Sequence, residues 1–170
     1  MSVDAASFRK ALGQFATGVT VVTTRDGAGR PLGLTVSAFC SVSLHPPLVL
    51  VSIDHRSDAN AGMRASGHFA VSVLREDQEN VSRRFARSDD DKLEGFAFAE
   101  GRRRLPLVPG ALAHIQCRVR SFHEEGDHTL WVGEVLAVAV HAGRPLIHQR
   151  GEYRRLADAR RAGKPGGDRV

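Results

Sequence analysis

The stretch GLTVSAFCSVSLHPPLVL, residues 33–50, decides the fold of this chain. From Leu32 to Leu44 the residues alternate unevenly and are rich in Thr and Ser, which indicates an extended segment that Pro46-Pro47 ends. The apolar run LVLVSID (48–54) predicts a buried strand. So many small hydroxyls in one strand indicate one of two things. Either an exposed face tolerates them, or they form a polar ledge for a flat ring with hydrogen-bonding edges.

Strands and tight turns dominate on both sides of this stretch. Upstream, Phe8, Leu12 and Phe15 recur at helical spacing, which predicts an amphipathic helix that Asp4 or Ser7 caps and Gly18 ends. The further predicted strands are 19–24, 69–74, 113–120, 128–141 (kinked or bulged at Gly133) and 145–149. The further predicted helices are 57–66, capped by Ser57, and 77–86, with Val81 and Phe85 facing inward. Turns are expected at Asp26-Gly27 with Gly29 and at Glu125-Gly126-Asp127, and residues 87–110 are expected to be irregular.

Six or seven strands joined mostly by short turns, with two or three helices between them, predict a mainly β fold with flanking helices. A closed antiparallel barrel is the expected arrangement, because closure removes exposed strand edges. The regular alternation of strands and helices that marks a parallel sheet is absent.

The basic charge of the chain lies mostly at its C-terminal end. Residues 154–170 hold six basic and two acidic side chains, which is +4 of the formal net charge of +5. We therefore expect a folded domain over residues 1–156 and a basic, disordered tail over 157–170. A nearly neutral body argues against nucleic-acid binding as the main function.

The two cysteines indicate the cellular compartment of the protein. Cys40 and Cys117 lie 77 positions apart, which suggests neither a disulfide framework nor a metal site. Apolar neighbours predict two buried thiols in a reducing compartment. With no apolar run long enough for a membrane helix and no signal-peptide pattern, we expect a cytoplasmic protein that binds neither membranes nor metals.

Common catalytic motifs such as G-x-G-x-x-G, the Walker loop, H-E-x-x-H and G-x-S-x-G are absent. Residues 52–60 run from a strand into a helix start with Arg56, Ser57 and Asn60, which suits a phosphate but also an ordinary capped helix. His128 follows a Gly-Asp turn, where it could donate a hydrogen bond to a ligand or serve only the turn. The remaining strand histidines are expected to have no special role; they are His114, His123, His141 and His148.

Taken together, the segments 8–23, 33–50, 69–74, 126–128 and 150–153 resemble the flavin reductase-like, FMN-binding split-barrel family. The similarity runs from about Phe8 to Leu156. It is greatest to the small reductase components of two-component flavin-dependent monooxygenases, including over residues 72–87.

The resemblance implies a homodimer of split barrels with a flavin near the subunit interface. The residues it assigns to the flavin are Thr35, Val36, Ser37, Ala38, Ser41, Val42, Ser52, Ile53, Asp54, Ser57, Asn60, Arg84 and Phe85. Those it assigns to the nicotinamide are His128, as the catalytic residue, together with Arg150, Gly151 and Tyr153. Ala38 stands where relatives often carry Ser or Asn, so the side-chain hydrogen bond to the flavin that the resemblance implies at this position is not expected from this chain.

The implied activity is hydride transfer from NADH to FMN or FAD, with the reduced flavin passing to a separate monooxygenase. Positioning of the two reactants and donors near the N1–C2=O edge of the flavin would do most of the work. NADH is favoured over NADPH because no arginine cluster is clearly positioned for a 2′-phosphate. The alternatives are a split-barrel oxidase of the pyridoxamine-phosphate type, a non-catalytic flavin or haem carrier, and an interaction module that uses the basic tail.

Overall fold

In the computed structural model, which describes residues 3–157, short helices are set between the strands of an antiparallel sheet. The helices are α1 (Ala5–Leu12), α2 (Ala59–Ser66) and α3 (Glu79–Phe85). The strands are β1 (Thr17–Gly18), β2 (Thr20–Arg25), β3 (Pro31–Val36), β4 (Phe39–Leu44), β5 (Pro47–Asp54), β6 (His68–Val73), β7 (Ala99–Glu100), β8 (Pro106–Leu107), β9 (Ala113–Glu125), β10 (His128–Val140), β11 (Ile147–Gln149) and β12 (Glu152–Arg154). Two 3-10 helices span Asp90–Leu93 and Arg102–Arg104.

Seven strands form one sheet in the order β3-β2-β6-β9-β10-β5-β4, and every neighbouring pair is antiparallel. The two edge strands, β3 and β4, follow each other in the chain and are joined only by Ser37 and Ala38. The sheet curls so that β3 also contacts β5, and the Ser52 amide donates to the Ala38 carbonyl at 3.1 Å. The expected antiparallel split barrel is confirmed, and its open seam lies between β3 and β4.

The barrel is filled by side chains from its own strands and from α2. Trp131, Phe69, Val51 and Met63 are each 0% exposed in one contiguous cluster. A second cluster, around Phe85 and Leu74, packs α3 and the irregular segment against the barrel. This second cluster matters for function because it holds α3 beside the end of β3.

Turn chemistry and one close contact explain the long hairpin of β9 and β10. Gly126-Asp127 forms its predicted two-residue turn, with Gly126 at a φ of 61°. The register shifts between Val132 and Gly133, as predicted for a bulge. A Cβ at Gly133 would lie 2.4 Å from Cζ of Phe69, so the absence of a side chain at Gly133 lets an aromatic ring pack onto the backbone.

Several sequence-based predictions were wrong in detail. Asp4 caps α1 as expected, but the helix ends at Leu12 and not at Gly18, because the chain turns at Gly13 to enter β1. The extended stretch from Leu32 to Leu44 is two strands, since the chain changes direction at the seam.

The second predicted helix begins later than expected, and one cysteine is not buried. Helix α2 begins at Ala59 with Asp58 at its N-cap position, although the Ser57 hydroxyl accepts from the Ala59 amide at 3.3 Å. Cys117 is buried, but Cys40 is exposed because it lies on the edge strand β4.

Two further segments differ from the prediction. Residues 87–110 contain two 3-10 helices and the β7–β8 hairpin, and the C-terminal end of the domain adds β12. Of the predicted tail, only Ala157 is among the described residues.

Candidate functional site

The ledge, residues 35–38, is where β3 ends at the seam. The Val36 side chain is 6% exposed and belongs to the core, so only its backbone can face a ligand. The Thr35 hydroxyl donates to the Ser82 carbonyl at 2.7 Å, which ties the ledge to α3. The carbonyls of Val36, Ser37 and Ala38 already accept from Thr20, Phe39 and Ser52. Because β3 has a pairing strand on one side only among the described residues, the ledge offers mainly backbone amides to a ligand.

Two cavities lie on either side of the ledge. The seam cavity, about 820 Å³, is lined by residues 12–13, 15–18, 20, 37–40, 50, 73 and 148–150. The helix cavity, about 430 Å³, is lined by residues 32–35, 54, 56–59, 85–88 and 92–93. Both volumes lie in the range of small-molecule sites.

The helix cavity carries charge at its rim. The Arg56 guanidinium donates to both oxygens of Asp54 at 2.6–3.2 Å, and this interaction lowers the pKa of the Asp54 carboxyl well below its usual range. Arg87 and Lys92 also line this cavity, and Ser57 lies at the start of α2. The lining therefore holds three cations against two carboxylates, those of Asp54 and Asp58, and this excess of positive charge together with the start of α2 suits an anionic group such as a phosphate.

Asn60 and Arg84 lie near the helix cavity but are engaged within the protein. The side-chain Nδ2 of Asn60 donates to the backbone carbonyl of Asp54, and its Oδ1 accepts from the Trp131 indole, both at 2.8 Å. The Arg84 guanidinium donates to the carbonyls of Lys92 and Glu94, and its neighbour Phe85 is 1% exposed at the cavity wall. The structure therefore places Asn60 and Arg84 as supports of the cavity.

The remaining flavin candidates lie on β4 and β5. Ile53 is 1% exposed and points into the core, whereas Ser52 is half-buried and bonds through its amide to the seam. Ser41 and Val42 lie on the edge strand β4 at a bulge and are exposed. Ile53 can therefore face a ligand only with its backbone. Ser52, Ser41 and Val42 can do so with backbone and side chain.

His128 begins β10 directly opposite Asp54 on β5. Its Nδ1 lies 2.7 Å from Oδ1 of Asp127, and this hydrogen bond lowers the pKa of the Asp127 carboxyl. Because an ionised carboxylate only accepts, Nδ1 carries the proton and Nε2 is left for another partner. Within one chain, His128 lies at the Asp54 end of β5 and does not line the seam cavity with Arg150.

Arg150 and Tyr153, the other nicotinamide candidates, occupy different places. Arg150 lines the seam cavity and has a φ of 54°, a left-handed conformation that the following Gly151 (φ 79°) continues. The Tyr153 hydroxyl is hydrogen bonded to the Ser82 hydroxyl at 2.8 Å. Because the Ser82 carbonyl accepts from Thr35, a short chain of hydrogen bonds joins Tyr153 to the ledge.

Some lining residues were missed by sequence reasoning. His148, assigned no special role, lines the seam cavity and lies 5.5 Å from the Tyr153 ring, centroid to centroid. Ser82 is 0% exposed and connects α3 to both β3 and β12. No motif or periodicity in the sequence around His148 or Ser82 marks either residue, because their contacts are with residues that are distant in the chain.

Over residues 3–157, no helix has the length and apolar character needed to cross a bilayer. Among the side chains that the structure describes, no group of three or more His, Cys, Asp or Glu is arranged as a metal site. The donors that do converge are backbone groups at the ledge, with cations beyond it. This donor set fits a flavin, whose ring needs hydrogen bonds along one edge and whose phosphate needs positive charge.

The chain is similar to several curated proteins. The model of the flavin reductase like domain matches residues 12–157. FMN reductase (NADH) SmoA of Agrobacterium fabrum (strain C58) is 45% identical over 153 residues, which cover 89% of this chain and 86% of that protein. HsaB of Rhodococcus jostii (strain RHA1), the reductase subunit of a flavin-dependent monooxygenase, is 40% identical over 153 residues, covering 89% and 78%.

Solved structures agree with this similarity. Flavin reductase PheA2 superposes with a TM-score of 0.84 at 41% identity, covering 92% of this chain and all (100%) of that one. NADH:FAD oxidoreductase SgcE6 of Streptomyces globisporus, solved with NAD and FAD fragments, superposes with a TM-score of 0.85 at 37% identity, covering 91% and 94%. With a seven-stranded split barrel and a family match over residues 12–157, the chain belongs to the flavin reductase like domain family.

Proposed function

We propose that this protein is an NADH-dependent flavin reductase that supplies reduced FMN or FAD to a separate monooxygenase. The observation that carries the proposal is the ledge, with one cavity on each side of it. A flavin has two unlike ends, a flat ring and a phosphate. The ledge and the cation-rimmed helix cavity offer each end a suitable environment.

In this proposal the protein binds and orients its reactants. The backbone of residues 35–38 receives the polar edge of the isoalloxazine, and Ala38 leaves that contact to the main chain because it has no polar side chain. Residues 52–54 flank the ribityl chain, while Ser57 and the cations of the helix cavity receive the phosphate. When bound, the flavin accepts at N5 the hydride that leaves C4 of the nicotinamide, and NADH becomes NAD⁺.

The nicotinamide is proposed to enter the seam cavity beside Arg150 and Gly151, with Tyr153 supporting the wall. His128 is proposed to contact the nicotinamide through Nε2. Because His128 does not line the seam cavity within one chain, that contact would be made across the interface of the homodimer proposed below. Hydride transfer between the two bound reactants would require no proton relay from the protein. The protein lowers the barrier by holding the rings at reaction distance, which in the best cases supplies about 7–11 kcal/mol.

Relatives support the choice of reactants and of the partner. SmoA is named an FMN reductase that uses NADH, and SgcE6 is named an NADH:FAD oxidoreductase, so both flavins are kept in the proposal. HsaB is a reductase subunit of a monooxygenase, and BorF is the reductase component of a two-component halogenase. These names favour a reductase over a pyridoxamine-phosphate type oxidase, a carrier or a tail-based interaction module.

We also propose a homodimer in the cytoplasm. Several large apolar side chains of α1, of the segment after it, and of β4 and β10 are exposed in the single chain; they are Phe8, Leu12, Phe15, Val42, Leu44, Val138 and Val140, at 51–81%. Exposed large apolar side chains in this number favour a subunit interface. Two unpaired cysteines, Cys40 and Cys117, favour a reducing compartment.

The test is an assay with purified protein, NADH and free FMN or FAD, in which loss of the NADH absorbance band is followed. Rapid, flavin-dependent NADH oxidation supports the reductase. Flavin binding without turnover would support the carrier instead. Sedimentation at micromolar concentration tests the dimer, and a monomer there would overturn that part of the proposal.

A further inference from the structure

A third cavity lies between α1 and the turn that joins β11 to β12. The cationic cavity has a volume of about 920 Å³ and is lined by Arg9, Lys10, Gln14, Arg150 and small residues. Its lining contains three basic side chains and no acidic one. The sign of its charge therefore favours an anionic ligand.

Arg150 is held in place by neighbours rather than by a carboxylate. Its amide donates to the Gly13 carbonyl at 2.9 Å, and its Nε donates to Oε1 of Gln14 at 2.8 Å. Gln14 is itself fixed, because its Nε2 donates to the Lys10 carbonyl at 3.1 Å. A non-glycine residue with a φ of 54° is strained, and such strain often accompanies ligand-binding positions.

Arg9 and Lys10 differ from most basic residues of the described chain. Arg56, Arg83 and Arg118, for example, each bond to a carboxylate. Arg9 and Lys10 are exposed and make no ion pair with any described residue. Three cations around one cavity repel each other unless an anion joins them.

The cationic cavity adjoins the seam cavity. The two share Gly13 and Arg150, so they meet at the C-terminal end of α1. A ligand with its reactive ring at the ledge could extend past Arg150 and place negative charge beside Arg9 and Lys10. A reduced pyridine dinucleotide has this shape, because its phosphates are joined to the nicotinamide through a ribose.

We propose that the cationic cavity binds phosphate groups of the pyridine dinucleotide, with Arg150, Arg9 and Lys10 as their ligands and Gln14 as a positioning residue. The proposal rests on the proposed function and adds a subsite to it. It also revises one expectation from the sequence, since a basic cluster does lie where a dinucleotide phosphate could reach it. The shared chemistry is that of a phosphate ester, which belongs either to the pyrophosphate of both dinucleotides or to the 2′-phosphate of NADPH.

The test compares the full-length protein with the double variant Arg9→Ala/Lys10→Ala in steady-state assays with NADH and with NADPH. We expect KM for at least one dinucleotide to rise about 10-fold, as for loss of two partly exposed charge-assisted contacts, with kcat and KM for flavin little changed. An equal rise for both dinucleotides assigns the pyrophosphate, and a rise for NADPH alone assigns the 2′-phosphate. KM should also depend less on salt in the variant than in the wild type.

Arg30→Ala is the matched control, because it also removes an exposed arginine but lies in the β2–β3 turn, paired with Asp26. A melting curve for each variant separates binding from folding, since Arg9 and Lys10 also lie in the last turn of α1. Unchanged KM values for both dinucleotides, equal to those of the control, would overturn the proposal. Calorimetric titration with NAD⁺ keeps the test independent of turnover: a wild type that binds NAD⁺ more tightly than the variant, yet does not oxidise NADH, would refute only the proposed function.

Discussion

Replacing Tyr153 by Phe removes one hydroxyl and, with it, the link between β12 and α3. That hydroxyl lies 2.8 Å from the Ser82 hydroxyl, and Ser82 is 0% exposed. Solvent cannot replace the lost partner, so the Ser82 hydroxyl is left unpaired inside the protein. An unpaired buried polar group costs about 1–3 kcal/mol, and we predict that the free energy of unfolding falls by about 1–2 kcal/mol.

Removing the other partner of this hydrogen bond, by Ser82→Ala, is expected to lower the free energy of unfolding less, by about 0.5–1.5 kcal/mol, because the half-buried Tyr153 hydroxyl can bond to water. The double variant leaves no unpaired hydroxyl, so its loss should be smaller than the sum of the single losses by about 1 kcal/mol. A function change should accompany the stability change. The Ser82 carbonyl accepts from Thr35 at the ledge, and α3 carries Phe85 at the helix cavity.

If about 1 kcal/mol of the lost free energy appears as weaker flavin binding at the ledge, the dissociation constant of FMN should rise about five-fold in Tyr153→Phe. Urea denaturation and titration of flavin fluorescence measure the two effects. Ser121→Ala is the control, since it removes a half-buried serine hydroxyl that bonds to no residue among those described. Additive stability losses together with unchanged flavin affinity would refute the link from Tyr153 to the ledge.

Three further predictions address the proposed role of His128, the packing of the barrel and the thiols. His128→Ala should lower kcat/KM for NADH about 10- to 100-fold. Its melting temperature should change little, because the His128 side chain is 42% exposed. His123→Ala on the neighbouring strand is the control, and a lower melting temperature with normal kinetics in His128→Ala would make His128 a turn residue. Gly133→Ala should cost about 1–3 kcal/mol in a denaturation curve, because its Cβ would lie 2.4 Å from Phe69, whereas Gly18→Ala, with nothing within 4 Å, should cost less than about 0.5 kcal/mol. A thiol reagent should titrate Cys40 alone in the native protein and both cysteines after denaturation, because burial raises the pKa of the Cys117 thiol to about 12. Since folding raises that pKa above its ordinary value of 9.0, the stability it lends is complete below pH 9.0 and declines as pH rises toward about 12, and Cys117→Ala should flatten that decline.

The parts of the fold that local chemistry determines could be predicted from the sequence. The Gly126-Asp127 turn, the bulge at Gly133 and the inward face of Phe85 all follow from residue types within a few positions. The break of the long extended segment at Ser37 and Ala38 could not be predicted, because neither Gly nor Pro marks it. It arises from closure of the whole sheet, which places two consecutive strands at opposite edges.

The candidate site divides in the same way. The hydroxyl-rich run around Thr35 and the helix start near Ser57 have a recognisable composition, and both line the cavities beside the ledge. The contacts of Ser82 with Tyr153 and of Gln14 with Arg150 join residues 71 and 136 positions apart. No periodicity or motif reports such a pairing, which depends on how the last strands return to α1 and α3.

The most direct measurement of the central claim is an anaerobic titration of FMN with NADH in the presence of the protein, following the absorbance of both. We predict that one flavin is reduced for each NADH consumed. We also predict that Ala38→Trp, which fills the seam cavity at the ledge, abolishes the reaction while the melting temperature stays near that of the wild type. An Ala38→Trp variant that folds and still reduces FMN at the wild-type rate would contradict the placement of the flavin at the ledge. Absence of flavin reduction by the wild type would contradict the function itself.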